Sequence, residues 1–371
     1  MHPIEGVCDP AFARVKEAFA ENFAARGDVG AAVCIVHRGR TVVDLVGGWR
    51  NGGMSERWTD RTLVNVWSST KGIAAACFAM IVDRGLARYD QPVADFWPEF
   101  AAHGKRDVTI GMLLSHQAGL CGFAEPGSVA DLLAGEAAAA RLAAQAPLWA
   151  PGTASGYHAI TIGILATELF ERIEGRSLRR FVAEELAQAR GFDFAIGLDA
   201  GEEGRRAEIL APPELNSAEI GALTPPQLAA LANPSLDPLL PNDPAWRAAD
   251  LPSANGHANA RSLAGLYASL IAKTDPLVST EALAEATKVR IENVDLVLGL
   301  PARWAAGFLR NSDGLYGPNA EAFGHSGWGG SFAFADPAAG LAMSYTMNRM
   351  GTQLRDDPRD VALIAAAYRC L

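Results

Sequence analysis

The chain has 371 residues, 49% of them hydrophobic and 20% charged, which is ample apolar material for a large core in a soluble protein. Its 42 acidic side chains outnumber 32 lysines and arginines, and the net charge of −10 excludes a broad phosphate-binding surface, which needs a basic excess. The longest uncharged apolar run, Gly72 to Val82, is far short of the roughly 20 residues of a membrane span, so neither nucleic acid nor membrane is expected as a partner.

Residues 10–26 place Phe12, Val15, Phe19 and Phe23 near helical spacing, and Gly27 stops the run. Ala31–His37 and Thr41–Gly47, joined by the polar turn Arg38-Gly39-Arg40, predict a β-hairpin. A tryptophan-rich stretch ends at Trp67, after which Ile73, Cys77, Met80 and Ile81 predict a helix over Thr70–Arg84. Alanine-rich helical segments recur to about residue 190, among them Val129–Ala146 and Ala159–Glu174. The charged, glycine-containing stretch Asp199–Arg206 is expected to be an exposed loop. From Asn233 to Pro252 a proline at every third or fourth position argues against helix interior and central strand, so a long loop is expected there, a lid or a linker. Ala260–Lys273 and Asp357–Tyr368 predict helices, and Trp304–Leu309, Ser331–Asp336 and Leu341–Thr346 predict strands. Strands at both ends and helices between them are most simply closed as one antiparallel sheet built from both termini, with a helical domain inserted. The N-terminus has neither a basic start nor an apolar stretch of a secretory signal. Cys8, Cys34, Cys77, Cys121 and Cys370 are scattered and without C-x-x-C, as expected for thiols in the reducing cytoplasm.

Ser68-Ser69-Thr70-Lys71 is an S-x-x-K at the change from strand-like to helical sequence. A serine at a helix N-terminus with a lysine one turn on suits nucleophilic catalysis, because the helix end favours negative charge and a lysine out of water loses its proton readily. Taken alone, the pattern equally describes an N-cap serine beside a solvated lysine. Leu113-Leu114-Ser115-His116-Gln117-Ala118-Gly119-Leu120 ends a helix-like run. Trp149-Ala150-Pro151-Gly152-Thr153-Ala154-Ser155-Gly156-Tyr157 is a turn-rich loop that delivers a tyrosine, and Gly324-His325-Ser326-Gly327-Trp328-Gly329-Gly330-Ser331 precedes an alternating strand.

Together and in this order these segments resemble the serine β-lactamase and penicillin-binding-protein superfamily, most nearly its esterase branch, the family VIII carboxylesterases. The resemblance runs from about residue 30 to the C-terminus. It implies an α/β (α+β) chain of the β-lactamase-like fold, with residues 1–66 and 254–371 forming an α/β domain and 67–253 a mostly helical one. It implies Ser68 as the acylated nucleophile, Lys71 as the acceptor of its proton, and Tyr157 as partner in the general-base work. The N–H groups of Ser68 and Trp328 would form the oxyanion hole, and His325, Ser326, Gly327 and Trp328 would border the substrate. Lys71 and Tyr157 are expected to titrate as a coupled pair, the ammonium favouring phenolate. Gly327, Gly329 and Gly330 fit either close backbone approach to a substrate or a β-bulge.

Two departures move the expected substrate from carboxylated β-lactams towards neutral esters. Tyr157-His158-Ala159 lacks the asparagine of Tyr-x-Asn, and His325 stands where β-lactamases carry lysine, so a permanent cation is missing. A β-lactamase, a D-amino-acid peptidase or an acyltransferase would use the same residues. An α/β-hydrolase is excluded by chain order, since no histidine follows His325 and Gly324–Trp328 is one residue short of a nucleophile elbow. No cofactor is implied. The dispersed histidines and the lack of H-E-x-x-H argue against a metal. His37, His103 and His257 are expected on surfaces or in hydrogen-bonded loops, and His116 as a structural residue behind the site. Pro252–His257 either borders the cleft or is a simple helix entry. Trp149, Trp246 and Trp328 either wall an acyl pocket with the 233–252 segment or sit in the cores.

Overall fold

The structure, a computed structural model, describes residues 3–212 and 223–371; residues 213–222, inside the segment expected to be the helical domain, lie outside the described residues. Twelve strands are described. The N-terminal part supplies β1 (Ile4–Cys8), β2 (Gly30–His37), β3 (Arg40–Gly48) and β4 (Val64–Asn65), and the middle supplies β5 (Phe194–Ile196). The C-terminal part supplies β6 (Gly256–Ala258), β7 (Ile291–Val294), β8 (Pro301–Trp304), β9 (Leu309–Arg310), β10 (Phe323–Ser326), β11 (Phe332–Asp336) and β12 (Leu341–Met347). Nine of them make one sheet in the order β1-β3-β2-β12-β11-β10-β9-β8-β7, antiparallel at every step. The chain's two ends meet where β2 pairs with β12, with Val33 opposite Tyr345. A small sheet, β4-β6-β5, joins distant parts of the chain beside it.

The central strands are mostly apolar and buried at almost every position because both faces are covered. Cys34, Asp44 and Ser344 are register partners and share one face; Arg261 of the helix Ala260–Leu270 reaches it, with Nε 2.6 Å from Asp44 Oδ2. Val33, Leu45 and Tyr345 share the other. There Tyr345 donates to Asp28, whose carboxylate pairs with Arg359 of the helix Pro358–Tyr368. The helix Ala13–Ala25 packs beside that one, tied by Asn22 Nδ2 to Arg359 O.

The helix Thr70–Asp83 is buried on every side from Thr70 to Ile81, so it runs through the interior instead of along a surface. Burial of Ile73, Phe78 and Ile81 stabilises it by about 1.5–3 kcal/mol each. Gly72 lets it lie close to the helix Ala260–Leu270, since an added Cβ would stand 2.1 Å from Tyr267 Oη.

Several expectations need correction. Val129–Ala146 is two helices, Val129–Leu132 and Glu136–Ala144, broken at Gly135 with φ +57°. Asp199–Arg206 is mostly a 3-10 helix, Ala200–Arg205, fastened by Arg205 to Asp193 at 2.6 Å. The proline-rich segment is not one loop. It holds a 3-10 turn, Leu240–Asn242, and the helix Pro244–Ala248, because Pro244 occupies the first turn, where a missing N–H costs nothing, and Asp243 caps it. Trp304–Leu309 is the turn between β8 and β9, with only its end residues, Trp304 and Leu309, in the strands. His257 is fully buried in β6, its Nδ1 3.0 Å from Asn255 O.

Gly72 makes a direct test. In an ordinary helix interior, Gly→Ala adds about 1 kcal/mol of stability. Here Gly72→Ala should instead cost about 1–3 kcal/mol through overpacking against Tyr267, read as a lower urea midpoint at unchanged slope.

Candidate active site

Ser68 stands at an abrupt change of direction. β4 ends at Asn65, Trp67–Ser69 makes one 3-10 turn, and the helix Thr70–Asp83 begins at once. Trp67 has φ +46°, a region a bulky residue occupies only where its surroundings hold it. They do so here. Its indole is 2% exposed and packs at 5.3 Å from Trp246 and 4.9 Å from Trp328, ring centre to ring centre. Thr70 Oγ1 donates to Trp67 O and accepts the Gly256 N–H at 2.9 Å, while Gly256 O takes the Val66 N–H at 2.9 Å. Ser68 is left partly exposed at the positive end of the helix.

Lys71 Nζ lies 3.0 Å from Ser68 Oγ, 2.7 Å from Ala159 O and 2.8 Å from Ser253 O. The side chain is 4% exposed, and burial pulls its pKa well below that of a free lysine. In the neutral amine the two carbonyls take both N–H groups, which leaves the lone pair directed at the serine hydroxyl. Pro252–His257 therefore borders the cleft, through the Ser253 carbonyl.

Tyr157 reaches the same place from the loop before the helix Thr161–Glu174. Gly156 N–H donates to His116 O at 3.1 Å, and an added Cβ at Gly156 would meet the Trp149 indole at 2.5 Å. The phenol ring lies flat on Trp304, with centres 5.5 Å apart and planes 4° apart, and Lys71 Nζ sits 4.8 Å from its centre. Burial raises the Tyr157 pKa above its ordinary value, with an interaction at Ser68 drawing it part-way back. The expected phenolate–ammonium pair is thus corrected. Both groups have left water, which penalises both charged forms, and the amine lies by the face of the ring.

The histidines form a neutral wall. His116 is buried with φ +64°; its Nδ1 accepts the His158 N–H at 3.2 Å, and its ring lies edge-on to Trp304 at 4.4 Å. His158 Nε2 accepts the Leu120 N–H at 3.0 Å and its Nδ1 donates to Gly156 O at 2.6 Å, so this residue supports the loop, and burial lowers its pKa to about 4. His325 is 3% exposed, with Nδ1 2.9 Å from Ser326 O, and burial aided by Lys71 pushes it down to about 3. It contributes no positive charge at neutral pH.

The turn between β10 and β11 is stitched to the segment around Ser68 by Ser331, whose Oγ donates to Val66 O at 2.9 Å and lies 3.2 Å from Ser69 Oγ. Among the described hydrogen bonds none uses the N–H of Ser68 or Trp328, so both remain available. The neighbouring glycines answer to protein packing. A Cβ at Gly327 would meet Val66 O and Ser331 Oγ at 2.3 Å, and Gly329 and Gly330, with φ +93° and +115°, back onto Met350 and the Arg359–Asp357 pair. Ser326 Oγ is 3.2 Å from Tyr316 Oη. Of the three tryptophans, Trp246 is core at 1% exposure, while Trp149 and Trp328 are partly exposed near the site. Sequence reasoning missed the carbonyls of Ala159 and Ser253, Asp295, Trp304 and Arg359; a backbone oxygen leaves no trace in sequence, and none of these side chains belongs to a motif.

Residues 16–367 match the family model described as Beta-lactamase. The chain is 32% identical over 360 residues to "Esterase/beta-lactamase LipL" of Mycobacterium tuberculosis, covering 93% of this chain and 83% of that protein. Among solved structures it is similar to a family VIII carboxylesterase at 45% identity and to a penicillin-binding-protein homolog from Caulobacter crescentus at 43%. Each match covers 100% of both chains, with a TM-score of 0.94.

Behind the β10–β11 turn, Arg359 donates to Gly329 O at 2.6 Å, to Asp28 Oδ1 at 3.0 Å and to Asp357 at 2.7–2.9 Å, all out of water. Arg359→Met strands two buried carboxylates and should cost about 3–5 kcal/mol. Urea unfolding of the variant checks this; a loss under about 1 kcal/mol would mean that the cluster does not hold the turn.

Proposed function

The chain belongs to the beta-lactamase family and is a serine hydrolase, and from that premise we propose that it cleaves neutral carboxylic esters through an acyl-enzyme on Ser68. One observation carries the assignment. Lys71 Nζ, dehydrated and with two carbonyls on its N–H groups, is 3.0 Å from Ser68 Oγ. The serine proton passes to the amine as Oγ attacks the ester carbon. The oxyanion is received by the N–H groups of Ser68 and Trp328, a contribution of about 10²–10³-fold per donor. The tetrahedral adduct collapses and the alcohol leaves with a proton from Tyr157 or Lys71. Water then attacks the acyl carbon and gives its proton to neutral Lys71, and Ser68 Oγ takes that proton back as its bond to the acyl carbon breaks. Tyr157 acts in this scheme as a neutral phenol, a donor instead of a base.

Neutral His325 favours esters over substrates that bring a carboxylate, and His158, spent on the backbone, offers nothing to a β-lactam amide. His325, Ser326, Gly327 and Trp328 then serve as the wall beside the acyl group. We read residues 1–66 with 254–371 as the α/β domain and 67–253 as the helical one, a division supported by the nine-stranded sheet, whose strands all lie in the former. The five free thiols support a cytoplasmic setting.

Ser68→Ala and Lys71→Ala should each remove at least about 10³-fold of p-nitrophenyl ester turnover with the unfolding midpoint retained, and Tyr157→Phe about 10²–10⁴-fold. A phosphonate ester should label Ser68 stoichiometrically in the native enzyme. Turnover of a chromogenic cephalosporin exceeding that of the ester would transfer the assignment to β-lactams.

The shift at Lys71 has a defined sign in the pH profile. The base works unprotonated and its pKa is lowered, so activity is lost as pH falls through that lowered value, and the acidic limb lies well below the one a free lysine would give. Tyr157, raised, stays protonated up to about pH 10 and adds no alkaline loss below it. Lys71→Arg, permanently charged, should be inactive at every pH tested.

A further inference from the structure

Asp295 belongs to no motif, yet its carboxylate is 1% exposed directly behind Tyr157. Oδ1 accepts the backbone N–H of Tyr157 at 2.9 Å and those of Val297 and Leu298 at 3.0 Å each. Oδ2 accepts the indole Nε1–H of Trp304 at 3.0 Å and the hydroxyl of Ser155 at 2.9 Å, a hydroxyl shared with Asn293. Every donor is neutral, so the charge is held by dipoles alone. Burying a carboxylate is penalised by desolvation, which a merely apolar filler at this place would avoid. What the carboxylate does, and an apolar residue cannot, is fix one tyrosine from two directions. It grips the Tyr157 main chain, and it orients the indole on which the Tyr157 ring lies with planes 4° apart.

We propose that Asp295 is the positioning residue for Tyr157, holding its backbone and, through Trp304, its ring, so that the phenol stays beside Ser68 and Lys71. The assignment rests on the reading of Tyr157 as a participant in turnover. Asp295 touches no substrate in this scheme; it acts only through the tyrosine and its indole support. Misplacement of a reacting group by about 1 Å costs up to roughly a hundredfold, while ground-state binding by the rest of the pocket is untouched.

The test is a double-mutant cycle on p-nitrophenyl ester turnover. Asp295→Asn keeps the size and one acceptor oxygen but sets an amide where two groups need acceptors. It should lower kcat about 10–100-fold with KM changed less than about twofold. In a Tyr157→Phe background the same substitution should change kcat by less than about twofold, because the group it positions has gone. Equal, additive losses in both backgrounds, or a loss confined to KM, would overturn the role of Asp295 and leave that of Tyr157 standing. A Tyr157→Phe enzyme with unchanged activity would overturn both, and is recognised before the cycle is closed. Should Asp295→Asn fail to fold by near-ultraviolet circular dichroism, Trp304→Phe replaces it in the cycle. That variant keeps the carboxylate and an aromatic ring, removes only the indole donor, and must show the same disappearance in the Tyr157→Phe background.

Discussion

The chemistry of this molecule depends on keeping water away from one amine. In water, Lys71 would be an ammonium at any physiological pH and could accept nothing from a serine. Inside, burial penalises the charged form and pulls the pKa well below that of a free lysine, while two carbonyl acceptors hold the group in place. The same carbonyls would also stabilise an ammonium once it formed, so the site can hold a proton during the proposed turnover. This balance needs Ala159 O and Ser253 O to stay in place. Those oxygens come from the loop after Tyr157 and from the turn before β6, two segments nearly a hundred residues apart in the chain.

The fold secures that arrangement by burying the helix Thr70–Asp83 on all sides. A surface helix would leave one flank of Lys71 wet. Strain at Trp67 belongs to the same design. A turn with φ +46° at a tryptophan is unfavourable by about 1–3 kcal/mol, and tilted and edge-on packing of that indole against Trp246 and Trp328 offsets it. One of the two supports, Trp328, also provides a candidate oxyanion N–H. Packing that stabilises the turn thereby sets the distance between the nucleophile and the donor opposite it.

How much of this was legible in sequence follows from the physics of each feature. Ser68, Lys71 and Tyr157 announce themselves because chemistry demands particular side chains at particular offsets, and the hairpin Gly30–Gly48 because two β-rich segments and the polar, glycine-containing turn between them are local signals. The short helix Pro244–Ala248 was obscured because proline counts against a helix everywhere except its first turn. The protonation states were misjudged for a different reason. Proximity of Lys71 and Tyr157 could be inferred from the motifs, but depth of burial could not, and burial reverses the sign that proximity alone would give. Glycines at 327, 329 and 330 pointed to the right loop for an incomplete reason, since their lack of side chains answers to Val66, Met350 and Arg359.

The neutral histidines complete the argument about substrate. A lysine at position 325 would place a second cation near Lys71, and each would depress the ionisation of the other. An enzyme that binds carboxylated substrates benefits from that cation, because the incoming anion compensates it. An enzyme for neutral esters gains nothing in return and would carry an uncompensated charge in a dry site. His325, its Nδ1 committed to Ser326 O and its ring inclined by 28° to Tyr157 at 6.1 Å between centres, occupies the position without charging it. Substituting histidine for lysine there removes the recognition of a carboxylate while preserving the shape of the wall. The same dryness that lowers the Lys71 pKa, and on which its proposed role as base depends, thus argues for a substrate that brings no charge of its own.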